Sequence, residues 1–360
     1  MVDLSGRQFG NILIVKLSAI GDVTMATPFP RGLKMLYPEA RIDWLVEPLS
    51  ADVLRGNPFI NEVIVWERRH SMRVKGLKGA WGLVRDLREL AGRIQGRYDL
   101  AIDLQGLARS GLAVRASGAA VRLGKKDSRE GSGWFLTHKA DLEAPFYRAS
   151  EQYIGILRRL GLSKPPQSME IYPDADNVAK ADALLASAGV SSEYAVLTPA
   201  TTRPYKHWSD EAFAQTIVLL ERELGLTSVL LGSPKDREMA NRIMAMSGES
   251  GAVSLAGETT LRDAAEIIRR ARLLVGVDTG LMHFGIAMGT PTIAVFGPTT
   301  AQRLRDEPNT RVLQRAGPRR TDNTINRKQW WDDRSIDQNT PEDVIRVACE
   351  LLGKGATKTA

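Results

Sequence analysis

Four short segments carry residue types that could act together on one substrate. The first is Lys16-Leu17-Ser18-Ala19-Ile20-Gly21-Asp22, directly after an apolar run. Small residues and one glycine let the backbone turn sharply there and expose amides at a helix start. Asp22 is placed either to take a proton from a hydroxyl or to cap that helix. The segment lacks the spaced glycines of a dinucleotide fingerprint and the pattern of a phosphate-binding P-loop. The second is Thr198-Pro199-Ala200-Thr201-Thr202-Arg203-Pro204-Tyr205-Lys206-His207-Trp208. Its Thr201 and Thr202 hydroxyls, exposed backbone and Lys206 suit a diphosphate; the plain alternative is a proline-stiffened connection with a solvent lysine.

The third segment, Val277-Asp278-Thr279-Gly280-Leu281-Met282-His283, reads as strand, tight turn and helix. Free amides at Thr279, Gly280 and Leu281 would favour a phosphate or a developing negative charge. Asp278 would repel phosphate, so capping the helix or orienting the loop is its expected task. His283, one turn in, either reaches a ligand or packs against the sheet. The fourth, Gly232-Ser233-Pro234-Lys235-Asp236, closes another strand. Asp236 there could accept ribose hydroxyls or, equally, cap a helix. No metal site is expected: Asp174-Ala175-Asp176 has a suggestive spacing but reads as a helix start after Pro173, and the four histidines lack ligand spacing.

Positioning these segments requires strands that end where the motifs begin. Short β-branched runs alternate with helical patterns along the whole chain, the signature of βαβ units and parallel sheets. Strands are expected at 12–15, 42–46, 63–66, 100–103 and 120–123, then at 195–197, 228–231, 252–255, 273–277 and 292–296. A helix is expected over 81–95, where Val84, Leu87, Leu90, Ala91 and Ile94 recur at helical spacing. Ser209 before Asp210-Glu211, Thr260 three residues ahead of Asp263, and Thr340-Pro341-Glu342-Asp343 all mark helix starts. Ser163-Lys164-Pro165-Pro166 cannot continue a helix, and a linker is placed over 163–174.

Composition narrows the class. At 360 residues the chain fits two α/β domains, and 43% hydrophobic with 25% charged residues is globular. Cys349 is the single cysteine, which excludes an internal disulfide and suits a reducing compartment. The first apolar run is strand-length, so no signal peptide is expected, and no stretch reaches the ~18 to 20 apolar residues that cross a bilayer. A net charge of +7 is concentrated in Arg68, Arg69, His70, Arg73, Lys75 and Lys78 and again in Lys125, Lys126 and Arg129. Such clusters point to an anionic partner or to mere solubility. Aromatic residues are only 6% and none accompanies these clusters as a stacking motif, so nucleic acid is not the expected partner.

Taken in order, KLSAIGD, TTRPYKHW, DTGLMH and the FGPT of 296–299 resemble the ADP-heptose:lipopolysaccharide heptosyltransferase family, glycosyltransferase family 9. The resemblance spans roughly residues 10–300 and implies an α/β fold of two Rossmann-like domains facing across a cleft (GT-B). It places an acceptor domain over 1–165, a nucleotide-sugar domain over 175–338, and a helix and tail, 339–360, that packs back on the first domain. It implies metal-independent, inverting transfer with no cofactor, Asp22 as base and Lys206 facing the leaving group. Donor contacts are then Thr201, Thr202, Lys206, Asp236, Asp278, Thr279, Gly280, Leu281 and His283. Acceptor contacts are Lys16, Ser18, Arg69, Arg73, Lys75, Gln105 and Arg129. The partners implied are an ADP-sugar, ADP-heptose first, and an anionic lipid-linked saccharide of the Kdo-lipid A type. The expected location is the cytoplasm, against the inner membrane. Arg129-Glu130 and Phe146-Tyr147 resemble the members that add the first heptose; the late cysteine-containing segment of some members is missing, and 319–337 has no assigned role. A different sugar nucleotide or acceptor remains the chief rival. A nicotinamide-dependent dehydrogenase would need the absent glycine fingerprint, and a binder of anionic polymer would leave the strand-end motifs unexplained.

Overall fold

The computed structural model describes residues 4, 6–70, 77–144 (side chains from 81 onward), 148–301, 304, 307–316 and 332–353. The chain divides into two compact units between Glu170 and Ile171, inside the segment read as a linker.

Each unit is built on one six-stranded, all-parallel sheet. In the first, β1 (Asn11–Val15), β2 (Arg41–Val46), β3 (Glu62–Val65), β4 (Leu100–Asp103), β5 (Val121–Lys125) and β6 (His138–Ala140) lie in the order β3-β2-β1-β4-β5-β6. The inner strands are apolar throughout because helices cover both faces: Ile12, Leu13, Ile14 and Val15 are all fully buried. The helices are α1 (Ile20–Ala26), α2 (Pro28–Leu36), α3 (Pro48–Ala51), α4 (Leu77–Ile94), α5 (Ala108–Ala116) and α6 (Ala149–Arg159).

The second unit opens with α7 (Ala175–Ser187), whose N-cap is Asp174: its carboxylate accepts from the Asn177 amide at 3.1 Å. The Asp174-Ala175-Asp176 run is therefore a helix start, as its position after a proline suggests. Strands β7 (Tyr194–Thr198), β8 (Thr227–Leu230), β9 (Val253–Ser254), β10 (Leu273–Val277), β11 (Thr292–Val295) and β12 (Thr310–Leu313) are ordered β12-β11-β10-β7-β8-β9. Counted from each unit's own first strand, this is the same topology as the first unit. Between the strands run α8 (Asp210–Leu224), α9 (Arg237–Met246), α10 (Leu261–Arg270) and α11 (Gly280–Ala287). Ser209 and Thr260 cap α8 and α10 as their spacing predicts.

The last helix, α12 (Pro341–Leu352), corrects one expectation. It packs on α8, β11 and β12, and Val344, Val347, Ala348 and Cys349 join the core of the second unit. Its apolar stripe is used there, so it belongs to that unit's own fold. No helix among the described residues is long and apolar enough to cross a membrane.

In both sheets the strand order reverses beside the first strand of the unit, between β1 and β4 and between β7 and β10. Loops leaving the carboxyl ends of such a pair diverge, and the gap between them is where doubly wound sheets bind ligands. Val15 lies in register with Asp103, and Thr198 with Gly276, so the Lys16–Asp22 loop leaves at the first place and the loops after β7 and β10 at the second. The Gly232–Asp236 loop leaves β8, the next strand beyond β7.

Candidate functional site

In the first unit the site begins where β1 stops. The Lys16 side chain is only 3% exposed, and its ammonium lies 3.5 Å from Asp22 Oδ2 and 5.9 Å over the ring of Tyr153. Burial, the largest influence, pulls the Lys16 pKa down, and Asp22 opposes it. The Asp22 side chain is 38% exposed, so its carboxylate is held on one side by a buried cation and remains open to solvent on the other. The N-cap of α1 is Ala19; Asp22 sits inside the first turn, where the helix dipole also favours a negative charge.

The loop between Lys16 and Asp22 is fixed from β4. Gln105 Oε1 accepts from the Leu17 and Ser18 amides, each at 3.2 Å. Gln105 is itself set by Asp103, a fully buried carboxylate that accepts from the Gln105 and Gly106 amides and the Ser110 and Ser132 hydroxyls. Four donors let a carboxylate stay in the interior, although burial still raises its pKa. Gly106 needs to be glycine twice over: its φ is +71°, and a Cβ would lie 3.3 Å from the Lys125 side chain.

A second layer of charge surrounds this turn. Ser18 Oγ accepts from Arg109 at 3.1 Å, and Arg109 also approaches Glu47 at 3.7 Å. Glu47, just past β2, pairs with Arg68 at 2.7 Å, and the Arg68 guanidinium lies 5.9 Å over the Trp66 ring. Lys125, at the end of β5, donates to Gln152 Oε1 at 3.0 Å. Burial, then the charge of Lys16, lowers its pKa to about 8.

The expected acceptor residues thus separate. Lys16, Ser18 and Gln105 come together around Asp22. Arg129 stands exposed on the β5–β6 connection, where its amide donates to Gly106 O at 2.9 Å. Arg69 points away, 73% exposed and paired with Glu67. Arg73, Lys75 and Phe146-Tyr147 lie outside the described residues. Glu47, Arg68, Arg109, Lys125 and the Gln152-Tyr153 pair form the rest of the wall; sequence reading named Arg68 and Lys125 only within basic clusters and the others not at all. Glu47 and Lys125 had a usable signal, a charged residue at the end of an apolar strand; Gln152 and Tyr153 sit mid-helix and had none.

In the second unit, residues 199–203 leave β7 and lead into a short helical turn, Pro204–Lys206. Tyr205 and Trp208 are buried and anchor the loop, with Trp208 Nε1 donating to Asn339 O at 3.1 Å. Lys206 reaches across to Asp278 at 2.5 Å, with side chains 16% and 9% exposed. Thr299 Oγ1 donates to the same carboxylate at 3.2 Å. Asp278 therefore orients the loop, one of the two expected tasks, by tying together the connections after β7, β10 and β11. The cap position of α11 is held by Thr279, whose side chain makes no cap hydrogen bond. Gly276 allows β10 to lie against β7, since a Cβ there would meet Thr198 Oγ1 at 2.1 Å.

The remaining expected donor residues vary. Thr201 Oγ1 accepts from the Arg203 amide at 3.4 Å, and Thr202 is exposed. His283 is 5% exposed, turned into the fold on α11. Asp236 Oδ2 accepts from the Ser233 amide at 2.7 Å and the Ser233 hydroxyl at 2.6 Å, the capping arrangement that was the alternative to a ribose contact.

Known proteins bear on these two sites. A sequence model described as "Glycosyltransferase family 9 (heptosyltransferase)" matches residues 87–329. Lipopolysaccharide heptosyltransferase 1 of Pseudomonas aeruginosa is 30% identical over 305 residues, 80% of this chain and 79% of that protein. Lipopolysaccharide heptosyltransferase 3 of Escherichia coli is 27% identical over 94% of this chain and 98% of its own length. A solved Escherichia coli heptosyltransferase holding ADP-2-deoxy-2-fluoro heptose superposes with a TM-score of 0.69 at 26% identity, covering 94% of this chain and 99% of that one.

Proposed function

The chain belongs to glycosyltransferase family 9, the heptosyltransferases, and from that premise we propose that it moves heptose from ADP-heptose to the Kdo-lipid A inner core of lipopolysaccharide, inverting the anomeric centre. The observation that carries the reading is the Asp22 carboxylate, open to solvent on one side and backed by the buried Lys16 ammonium.

In this mechanism Asp22 accepts the proton of the acceptor hydroxyl as that oxygen attacks the anomeric carbon from the face opposite the leaving diphosphate. A positioned carboxylate acting as base contributes ~10²–10⁴-fold. The Lys16 ammonium stands beside the Asp22 carboxylate, and Gln105 holds the loop that sets its direction. The departing ADP gains negative charge. Lys206, the Thr201 and Thr202 hydroxyls and the amides at Thr279, Gly280 and Leu281 meet that charge without needing a metal ion. Asp278 keeps Lys206 in place, so the ammonium is already oriented before the bond breaks. Arg68, Arg109 and Arg129 give the acceptor side a cationic rim suited to an anionic saccharide at a membrane surface on the cytoplasmic side.

Thermal shift with ADP-sugars, UDP-sugars and NAD separates the donor classes, and transfer from ADP-heptose to Kdo-lipid A then tests the reaction. Stabilisation by ADP and by ADP-heptose is expected. Stabilisation by UDP-sugars alone would replace the donor and leave the mechanism standing; no transfer from any ADP-sugar would remove the proposed activity.

A further inference from the structure

Resting on that reading, we propose that Lys125 and Lys16 together form an anion-binding subsite in the first unit, which takes a carboxylate or phosphate group of the acceptor beside Asp22. The two lysines come from the carboxyl ends of β1 and β5; Lys125 reaches the turn that follows β4, and Lys16 lies close enough for its charge to act on Lys125. Lys125 passes over Gly106, where a Cβ would stand 3.3 Å from its Cε and 3.8 Å from its Nζ. The turn is bare where the side chain crosses it.

The charge count at this place does not close. Lys125 faces Lys16 from β1, Asp103 from β4, Asp22 from α1 and Arg129 from the loop that follows β5. Asp103 is saturated by its four donors, and Asp22 pairs with Lys16. Among the described residues the only hydrogen-bond partner of the Lys125 ammonium is the neutral amide oxygen of Gln152. Gln152 is 5% exposed and donates through Nε2 to Ala144 O at 3.3 Å, which turns its oxygen toward the lysine. The neighbouring Lys126 shows the ordinary arrangement: it is 58% exposed and paired with Asp141 at 2.7 Å.

A half-buried ammonium held by a neutral oxygen, with a second lysine and an arginine nearby, is costly in the free protein. That cost is recovered when a substrate anion enters, because charge-assisted hydrogen bonds are strong where water is scarce. The subsite would set the acceptor's anionic group next to the hydroxyl that Asp22 deprotonates. It also couples binding to a proton. With its pKa near 8, Lys125 is partly neutral in mildly alkaline solution, and an arriving anion raises that pKa. Acceptor binding should then take up a proton at a pH of about 9 and little at a pH of about 7.

The test is calorimetry of a deacylated Kdo-lipid A acceptor binding to the ADP-bound protein, at both pH values and in buffers of different ionisation enthalpy. Wild type is expected to take up a proton at the higher pH. Lys125→Met should bind acceptor roughly tenfold to a hundredfold more weakly at neutral pH, with the proton uptake gone and ADP affinity unchanged. Lys125→Arg should restore affinity and make it independent of pH up to about 10, since guanidinium does not titrate there. An acceptor with its carboxylates reduced, compared with one stripped of phosphate, shows which group the subsite holds: the one whose loss abolishes the Lys125 dependence. Equal affinity of wild type and Lys125→Met, or binding with no proton uptake at the higher pH, would overturn the subsite. If wild type fails to bind this acceptor at all, the failure lies with the family reading. In that case inorganic phosphate decides: thermal stabilisation that Lys125→Met loses keeps the subsite, and stabilisation equal in both or absent ends it.

Discussion

The two units share one strand order and put their motif loops at the same topological point, yet they surround that point with different chemistry. The first unit uses side-chain charge. Lys16, Asp22, Glu47, Arg68, Asp103, Arg109 and Lys125 crowd the strand ends, and two of the charged side chains, Lys16 and Asp103, are buried. Among the described residues the second unit uses backbone and hydroxyl groups, with the ion pair Lys206–Asp278 tying its loops together. The difference follows from what each would handle under the proposed function. A site that accepts a proton needs a carboxylate with a controlled environment, and recognition of an anionic acceptor needs cations. A nucleotide diphosphate is held well by amides and hydroxyls, and a strong fixed positive charge would hold the product ADP as firmly as the donor.

The largest effect should come from removing the half-exposed carboxylate on which the first unit's side of the comparison rests. Asp22→Asn keeps the size and polarity of the side chain and removes the base. Turnover should fall by ~10²–10⁴-fold while ADP binding and melting temperature stay near those of wild type. Steady-state kinetics beside a thermal melt checks this. Turnover within a few fold of wild type would leave Asp22 as a helix-start residue and would erase the contrast between the units.

The ion pair of the second unit supplies the next test. Lys206→Ala deletes a cation and also leaves Asp278, 9% exposed, without its principal partner beside the diphosphate. Donor affinity and turnover should drop together, by roughly tenfold to a hundredfold. Adding Asp278→Asn removes the stranded carboxylate, so the double variant should recover part of the donor affinity lost by the single one. A double variant worse than the sum of its parts would mean that Asp278 does more than hold the lysine, and the second site would then rely on charge as the first does.

Much of this was legible before any coordinates, and the failures have physical reasons. Ten of the twelve strands among the described residues coincide with apolar β-branched runs. Eight of these are inner strands, which in a parallel sheet must be apolar on both faces; the other two, β3 and β9, are edges that keep enough apolar residues to be read. The two that were missed are edges, His138–Ala140 and Thr310–Leu313. An edge strand is short and half-exposed, so its sequence carries polar residues and no clear period. Caps at Asp174, Ser209, Thr260 and Thr340 were readable because the bond is local, three residues long. The contacts that build the walls of the first site were not, even where the residue itself, such as Gln105, had been named. Gln105 holds Leu17 and Ser18 from almost ninety positions away, and Glu47, Arg68 and Arg109 meet only once the sheet is assembled. Asp236 left two readings open, a ribose contact or a cap, because both want a carboxylate at a strand end; here it accepts from the Ser233 amide and hydroxyl of its own turn.

Lys125 extends the comparison to stability. Its folded pKa of about 8 lies below the ordinary lysine value of 10.5, so folding penalises the charged form. The penalty is full below a pH of about 8 and disappears as pH rises toward 10.5. Replacing Lys125 by Met should raise the melting temperature of the ligand-free protein by a few degrees at neutral pH, an advantage that shrinks in alkaline solution. Differential scanning calorimetry across that range reads it directly. A variant less stable than wild type at neutral pH would show that the lysine stem is needed for packing and that the charge is well compensated.

The smallest effect separates two neighbours. Arg68 and Arg69 lie in the same basic run, and the sequence gives no reason to choose between them; the acceptor expectation fell on Arg69. The structure treats them differently. The Arg68 side chain is 14% exposed, bonded to Glu47 and laid over Trp66, with a backbone φ of +31° that few non-glycine residues adopt. The Arg69 side chain is 73% exposed and paired with a Glu67 that is itself half in solvent. Such surface pairs contribute ~0–1 kcal/mol, and salt screens them. Arg68→Gly removes the guanidinium and suits the backbone angle, so it should raise the acceptor Michaelis constant by about fivefold with little loss of fold stability. Arg69→Ala should change it by less than about twofold at moderate salt. Loss of Arg68 also leaves Glu47 to Arg109 alone, which shifts Arg109 away from Ser18 and so reaches the Asp22 loop indirectly. Equal kinetics for the two variants, measured at low and high salt, would show that long-range charge alone steers the acceptor, because only a screened field treats a buried and an exposed arginine alike.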